Sequence, residues 1–143
     1  MPLKRDRADH YFSLCVRERA DYHCEVCFKQ YDRSSTGLHC SHFFSRANKS
    51  VRWHKDNAFS HCYGCHQKLG SNPHDFTHWC QMILGDARYE MLIERKNDIT
   101  LAKQLVKDNK AGHLAKHYNT QYKLLRYMRE QGETGYIDFE DYV

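Results

Sequence analysis

The sequence predicts an α+β fold, in which a small β-containing segment lies between an N-terminal helix and a helical C-terminal extension. Three observations indicate this class. Apolar residues recur every three to four positions over residues 6–20 and again after residue 72, as they do on one face of a helix. Residues 28–44 have the composition and the central turn of a hairpin. Two closely spaced pairs of cysteines frame that segment.

The chain has 143 residues, a length that suits a single domain. We expect it to be organised as an N-terminal helix over 6–20, a core over 22–85, a helical extension over 86–131 and an acidic tail over 132–143. No apolar run approaches the roughly 18 residues of a membrane span, and the basic start of the chain lacks the apolar centre of a signal peptide. The expectation is therefore a protein of the cytoplasm with no membrane partner.

Turn and helix signals divide the chain further. The hairpin is expected to pair Phe28–Asp32 with Leu38–Phe44 across a turn at Ser34–Gly37. Asn72 and Pro73 form a helix start signal, and that helix should end at Gly85. Periodicity predicts three more helices, over 86–96, 99–109 and 112–131. The apolar stripe of the last one is typical of core packing, with a homodimer interface as the alternative.

Seven cysteines, an odd number, argue against a disulfide framework in a cytoplasmic chain. Two residues separate Cys24 from Cys27, and two separate Cys62 from Cys65. That spacing lets both thiolates of a pair reach one ion, and two pairs complete a tetrahedral shell of four sulfurs. Soft thiolates in such a shell select zinc, so we predict a structural Zn²⁺. Cys15, Cys40 and Cys80 are interpreted as small buried side chains.

The charge is unevenly distributed. The net charge is +4, and the last fourteen residues carry five acidic side chains with no Lys or Arg. A basic stretch over residues 29–55 contains a single acid, Asp32. Such a stretch indicates a polyanion partner, with a merely solvated surface as the alternative. Its six candidate DNA-binding residues are Lys29, Arg33, Arg46, Lys49, Arg52 and Lys55.

The segment between the cysteine pairs is longer than a zinc ribbon needs. It has 34 residues, against roughly 15–20 in an ordinary ribbon. The surplus holds His39, His42 and Asn57, and His66 directly follows the second pair. Histidine and asparagine beside a rigid metal-bound turn are typical of a reactive site.

The order of a cysteine pair, a strand histidine, an asparagine, and a second pair followed by histidine resembles the HNH, or ββα-metal, nucleases. The matching elements are His42, Asn57 and Cys62-Tyr-Gly-Cys65-His66. Nearly the whole chain also resembles the phage NinG (Rap) recombination proteins. The short sequence motifs that carry this resemblance include Arg17-Glu18-Arg19, His42-Phe43, Val51-Arg52-Trp53 and Asp56-Asn57. The chain departs from that family at His66, where asparagine is usual, and at His39-Cys40-Ser41, where a small residue is usual before the central histidine.

The resemblance implies a metal-dependent DNA endonuclease with a zinc-stabilised HNH core. His42 would be the general base and His66 a ligand of a catalytic Mg²⁺ or Mn²⁺. Since side chains alternate along a strand, His39 is our choice for the second ligand, unless a bulge changes the register. Asn57 would brace the loop or orient His42. Arg46 and Arg52 would clamp the phosphate or simply attract DNA.

The NinG resemblance further implies cutting of branched recombination intermediates, namely Holliday junctions and D-loops, in the bacterial host of a phage. Other phage or host recombination proteins are then expected partners, and a homodimer would suit symmetric cutting. Two alternatives remain open at this stage. One is a generic HNH endonuclease of the restriction or homing kind. The other is a zinc-dependent DNA-binding module without catalysis.

Overall fold

The computed structural model describes residues 3–143 and confirms the α+β class. Its two strands form one antiparallel sheet, and a short 3₁₀ turn at Lys55–Asn57 leads into the second. The helices and strands, in chain order, are α1 (Arg7–Arg19), β1 (Leu38–His42), β2 (Ala58–Cys62), α2 (Tyr63–Gly70), α3 (Pro73–Lys96), α4 (Ile99–Lys110) and α5 (His113–Glu130). Among these described residues, no helix combines the length and the apolar character needed to cross a bilayer.

Helix α1 forms where the sequence predicted it. Asp6 is the N-cap, and its side chain accepts a hydrogen bond from the backbone N–H of Asp9, whose carboxylate accepts one from Asp6 in return. This reciprocal capping satisfies two backbone donors that a helix start otherwise leaves unpaired. The apolar stripe that includes Phe12 and Cys15 is fully buried.

The predicted hairpin over residues 28–44 is wrong. Strand β1 pairs with β2, with Leu38 opposite Cys62 and His42 opposite Ala58. Within 28–32 the structure has only an isolated bridge between His23 and Gln30. All five residues of β2 are buried, so this strand needs a hydrogen-bonded partner more than the exposed segment 28–30 does.

The long helix α3 bends at Gly85, as the sequence suggested. Gly85 has φ 77° and ψ 165°, a conformation that other residues rarely adopt, and helical geometry resumes after it. Pro73 occupies the first turn of the helix, where its missing N–H costs nothing. The predicted helices 73–85 and 86–96 are thus the two arms of α3.

The N-terminal helix and the last helix share one core. Phe12 of α1 meets Tyr118 of α5 edge to face at a ring separation of 5.1 Å. Leu114 and Leu125 of the α5 stripe are buried in the same cluster. The stripe is therefore covered within the chain, which argues against the homodimer interface considered for it.

The acidic C-terminal segment packs against the body of the protein. Phe139 is buried in the core shared by α1 and α5, and the backbone N–H of Ile137 donates to the carbonyl of Arg19. Asp138 forms ion pairs with Arg19 and Lys55. Asp141 accepts a hydrogen bond from the backbone N–H of Lys55. The tail holds the 3₁₀ turn that leads into β2.

Candidate functional site

The four cysteines of the two pairs form one cluster. All four sulfur atoms lie within 4.8 Å of one another. The sulfurs of Cys27 and Cys62 are 3.8 Å apart, which is the edge of about 3.8 Å that a tetrahedron with Zn–S bonds of about 2.3 Å has. The cluster can therefore hold a structural metal such as zinc.

Local backbone geometry prepares this cluster. The N–H of Cys24 donates to the carbonyl of Lys29, and the N–H of Phe28 donates back to the carbonyl of Cys24, which closes the first turn. Cys62 is the N-cap of α2, and its sulfur accepts from the N–H of Cys65 at 3.5 Å. Burial raises the pKa of Cys62, but this bond and the neighbouring thiols outweigh it and bring the pKa to about 7. Cys62 thus favours the thiolate, the form that binds metal, whereas burial and the neighbouring sulfurs raise the pKa of Cys65.

A cleft of about 700 Å³ runs along the free edge of β1. Among residues 3–143, strand β1 has a strand partner only on its β2 side, so side chains from both faces reach the open edge. His42 projects on the face that packs against α1, where its ring lies 6.0 Å from that of Phe12. His39 projects on the opposite face, towards α2. His66 of α2 completes a group of three histidines that line the same cleft.

His39 and His66 face each other as a pair of metal ligands would. Their Nδ1 atoms are 3.0 Å apart, and the ring planes are nearly perpendicular at 84°. Two nitrogens at right angles around an ion about 2.1 Å from each would lie about 3.0 Å apart. Among residues 3–143, no third histidine, cysteine or carboxylate lies close enough to join them in a shell. In the structure the two Nδ1 atoms lie at hydrogen-bond distance from each other.

His42 is held in one tautomer. Its Nε2 lies 3.0 Å from the carbonyl oxygen of Arg52, so Nε2 carries the proton and Nδ1 does not. Burial lowers the pKa of His42 to about 4, although this hydrogen bond opposes the shift. The ring is therefore neutral near pH 7 and able to accept a proton.

Asn57 braces the loop between the strands. Its buried side-chain amide accepts from the N–H of Phe44 at 2.8 Å and donates to the carbonyls of Phe44 and Val51. Of the two roles considered for Asn57, the structure has the bracing one. The Asn57 side chain forms no hydrogen bond with His42, but the segment that it braces carries the Arg52 carbonyl that orients the His42 ring.

Arg52 does not lie where the predicted phosphate clamp requires it. It is only 5% exposed, and its guanidinium binds both carboxylate oxygens of Asp9. Because Nε and one Nη bind Asp9 and the side chain is almost fully buried, the structure argues against both this role and that of a DNA contact. Arg46 does line the cleft, where it bonds the Leu3 carbonyl at 2.9 Å and approaches Asp9 at 3.4 Å.

The other predicted DNA-binding residues do not form one continuous basic surface. Arg33 lines the cleft but binds the buried carboxylate of Glu18 through two nitrogens. Lys55 pairs with Asp138 at 3.1 Å. Lys29 is exposed, with its ammonium over the ring of Tyr31, and Lys49 is half-buried. Charge counted along the sequence overestimated the cations that a ligand can reach.

Two cleft arginines were missed because they precede the basic stretch. Arg5 and Arg17 line the cleft together with Asp9 and Ser13. Asp9, Ser13 and Arg17 are spaced by four, which places them on one stripe beside the apolar stripe of α1, and Arg5 just before the helix continues that spacing. That polar stripe was the available signal. With Arg33 and Arg46 included, four arginines and one carboxylate line the cleft, which makes it electropositive.

Comparisons with models of protein families, with curated proteins and with solved structures found no match for this chain.

Proposed function

We propose that the protein is a metal-dependent DNA endonuclease of the HNH type. The observation that carries this proposal is the cleft, which is lined by His42 and by His39 and His66 with their facing nitrogens. Hydrolysis of a phosphodiester needs a base for the attacking water and stabilisation of charge on the phosphate and the leaving oxygen. The three histidines supply residue types suited to both needs.

Each residue has a distinct task in this proposal. His42 accepts the proton of the attacking water at Nδ1, while its Nε2–H remains on the Arg52 carbonyl. Its low pKa limits its strength as a base, but a phosphate anion in the cleft would raise the pKa by favouring the imidazolium. Asn57 keeps the Arg52 segment in place. His39 and His66 would hold Mg²⁺ or Mn²⁺, which polarises the phosphate and stabilises the leaving oxygen when bound.

The four-cysteine cluster has a structural task. Closed shells of four thiolates leave no position for substrate, so we assign zinc to the stability of the segment around β2 and α2. Cys65 and His66 are consecutive, and the zinc cluster therefore fixes the start of the helix that presents His66. The catalytic pair depends on the zinc for its placement.

The proposed substrate is branched DNA of the kind formed during phage recombination, inside a bacterial host. This part depends on the resemblance to NinG proteins. An electropositive cleft without a base-reading helix supports contacts to phosphate, for which the shape of the DNA supplies selectivity. A homodimer and other recombination proteins remain part of the proposal as partners.

Nicking of supercoiled plasmid tests the activity. We expect the zinc-loaded protein to nick with added Mg²⁺ or Mn²⁺ and not without them. His42→Ala should lower the rate by about 100-fold to 10,000-fold, as loss of a general base does, with zinc content unchanged. His74→Ala is the matched control, since His74 is exposed at the start of α3.

Each of the other possible outcomes supports a different function or contradicts one part of the proposal. No nicking under any metal condition, with DNA binding intact, would indicate the non-catalytic zinc module. Nicking by His42→Ala at the wild-type rate would contradict the assigned base. Equal cutting of a four-way junction and a linear duplex of matched sequence would contradict the branched substrate and leave a generic HNH nuclease.

A further inference from the structure

The α1 wall of the cleft carries one arginine that no residue of the described part of the chain engages. Arg17 lies on this wall and is half-buried. Among residues 3–143 its guanidinium forms no ion pair and no side-chain hydrogen bond of ordinary geometry. A guanidinium has five donors in a planar fork, and leaving them without partners in a partly desolvated cleft is unfavourable.

The other cleft arginines are already engaged. Arg33 binds Glu18 through two nitrogens, with one contact of 2.6 Å. Arg46 bonds the Leu3 carbonyl and approaches Asp9. Arg5 donates to the hydroxyl of Ser13 at 2.8 Å. Arg17 is therefore the cleft cation that is most available to an incoming anion.

Arg17 also faces the strand that bears the histidines. Arg17 and the β1 residues His39, Cys40 and His42 line the same cleft. Cys40 lies on β1 between His39 and His42. A ligand held by Arg17 would thus extend over the part of β1 from which those histidines enter the cleft.

We propose that Arg17 forms a binding site for a backbone phosphate of DNA, next to the phosphate that is cut. The planar fork contacts two oxygens of the phosphate, which fixes its orientation as well as its position. The identity of the anion as DNA rests on the proposed function. The site itself rests on the unengaged guanidinium and on its place in the cleft. It takes over the clamping role that the sequence suggested for Arg52.

The test compares Arg17→Ala, Arg17→Lys and Arg7→Ala in the zinc-loaded protein. Arg7 is the matched control, because it is exposed on the same helix and its guanidinium lies over Tyr11 outside the cleft lining. Binding to one junction DNA is measured without added Mg²⁺ or Mn²⁺, from about 50 mM to about 200 mM salt. Cleavage with metal is measured in parallel, and thermal melting verifies folding.

The expected result for Arg17→Ala is a loss of affinity of about tenfold and a salt slope that is smaller by about 0.9, which corresponds to one lost phosphate contact. Arg17→Lys should keep the slope, since the charge stays, but lower kcat because an ammonium cannot bind two oxygens in a fixed plane. Arg7→Ala should match the wild type in both measurements.

The two proposals can fail separately. If Arg17→Ala has the affinity and salt slope of Arg7→Ala while His42→Ala abolishes cleavage, the phosphate site is wrong and the nuclease stands. If Arg17→Ala has the smaller salt slope but the wild type never cleaves, the phosphate site stands and the nuclease proposal is wrong. A wild type that binds no DNA at low salt overturns both. Should Arg17→Ala fail to fold, an unchanged kcat in Arg17→Lys overturns the phosphate site.

Discussion

Cys65 and His66 are consecutive residues of α2, yet they belong to two centres of opposite character. Cys65 faces the cluster in which four sulfurs lie within 4.8 Å and surround one position. His66 faces a cleft of about 700 Å³, where its Nδ1 meets a single partner, that of His39, at 3.0 Å. A step of one residue turns a side chain by about 100° around a helix axis, which is enough to separate the two environments.

In the proposed function, this difference divides two tasks between neighbouring residues. A closed set of four protein ligands contributes to folding and leaves no room for substrate. A pair of ligands in a cleft contributes little to folding and leaves positions for water and phosphate. We therefore expect changes at Cys65 to act on stability, and changes at His66 to act on binding of the second ion.

Cys65→Ser should have the largest effect, because one thiolate of the closed shell is lost. Structural zinc binding contributes on the order of 10 kcal/mol in small zinc domains, comparable to the whole stability of roughly 5–15 kcal/mol of a typical domain. We expect no bound zinc and no cooperative melting of the segment around β2 and α2. Elemental analysis and thermal melting measure this, with Cys40→Ala as the control outside the cluster. A zinc-loaded Cys65→Ser protein with wild-type melting would contradict the closed shell.

His66→Ala should leave zinc content and melting near the wild-type values. Removal of one of two protein ligands should weaken binding of Mn²⁺ by about 100-fold, at the upper end of what outer-shell changes produce. Titration of Mn²⁺ followed by calorimetry measures the affinity without recourse to cleavage, and His74→Ala provides the control. An unchanged affinity would show that His39 and His66 are not ligands and would remove the contrast with Cys65.

Asn57→Ala should affect stability by a smaller amount and independently of zinc. The substitution leaves the N–H of Phe44 and the carbonyls of Phe44 and Val51 without their partner in a buried loop. The expected loss is about 2–3 kcal/mol of unfolding free energy, as for unsatisfied buried groups. Urea denaturation of the zinc-loaded protein measures it. A loss of zinc from Asn57→Ala would contradict this, because it would mean that the Asn57 brace also supports the cysteine cluster.

His61→Phe should have the smallest effect. His61 lies directly opposite His39 in the sheet, but both of its ring nitrogens are buried without a partner, and its ring packs between Phe59 and Trp79. An apolar ring of similar shape removes those unpaired atoms, so melting should stay the same or rise slightly. Mn²⁺ affinity should not change. A weaker affinity for Mn²⁺ would indicate that His61 is a third ligand beside His39 and His66.

The cysteine cluster could be predicted from the sequence because its signal is local. Two residues between paired cysteines determine the turn, whatever the rest of the fold does. The contact between His39 and His66 required knowledge of the strand, and alternation along 38–42 placed His39 on the face opposite His42; its role as a ligand stays a prediction. The brace at Asn57 followed from the resemblance.

The failures have a common cause, which is that partners distant in sequence decide them. Nothing near Arg52 indicates that Asp9, which precedes it by more than forty positions, neutralises it in a buried pair. The hairpin was misassigned because the loop between β1 and β2 is long, so the adjacent segment 28–32 looked like the nearer partner. The polar stripe that ends at Arg17 is visible in the sequence, but it indicates a cleft wall only once β1 is known to lie opposite it.

The packing of α1 on α5 sets an order of events during synthesis. Residues 20–112 separate the two helices, so the core around Phe12, to which Trp53 and Ala58 also belong, stays incomplete until Tyr118 has left the ribosome. Contacts so distant in sequence form late and slow the final step of folding. The zinc turns, β2 and α2 can assemble earlier from their own local contacts. Helix α1, which carries Arg17 on the wall of the cleft, then gains its full packing last.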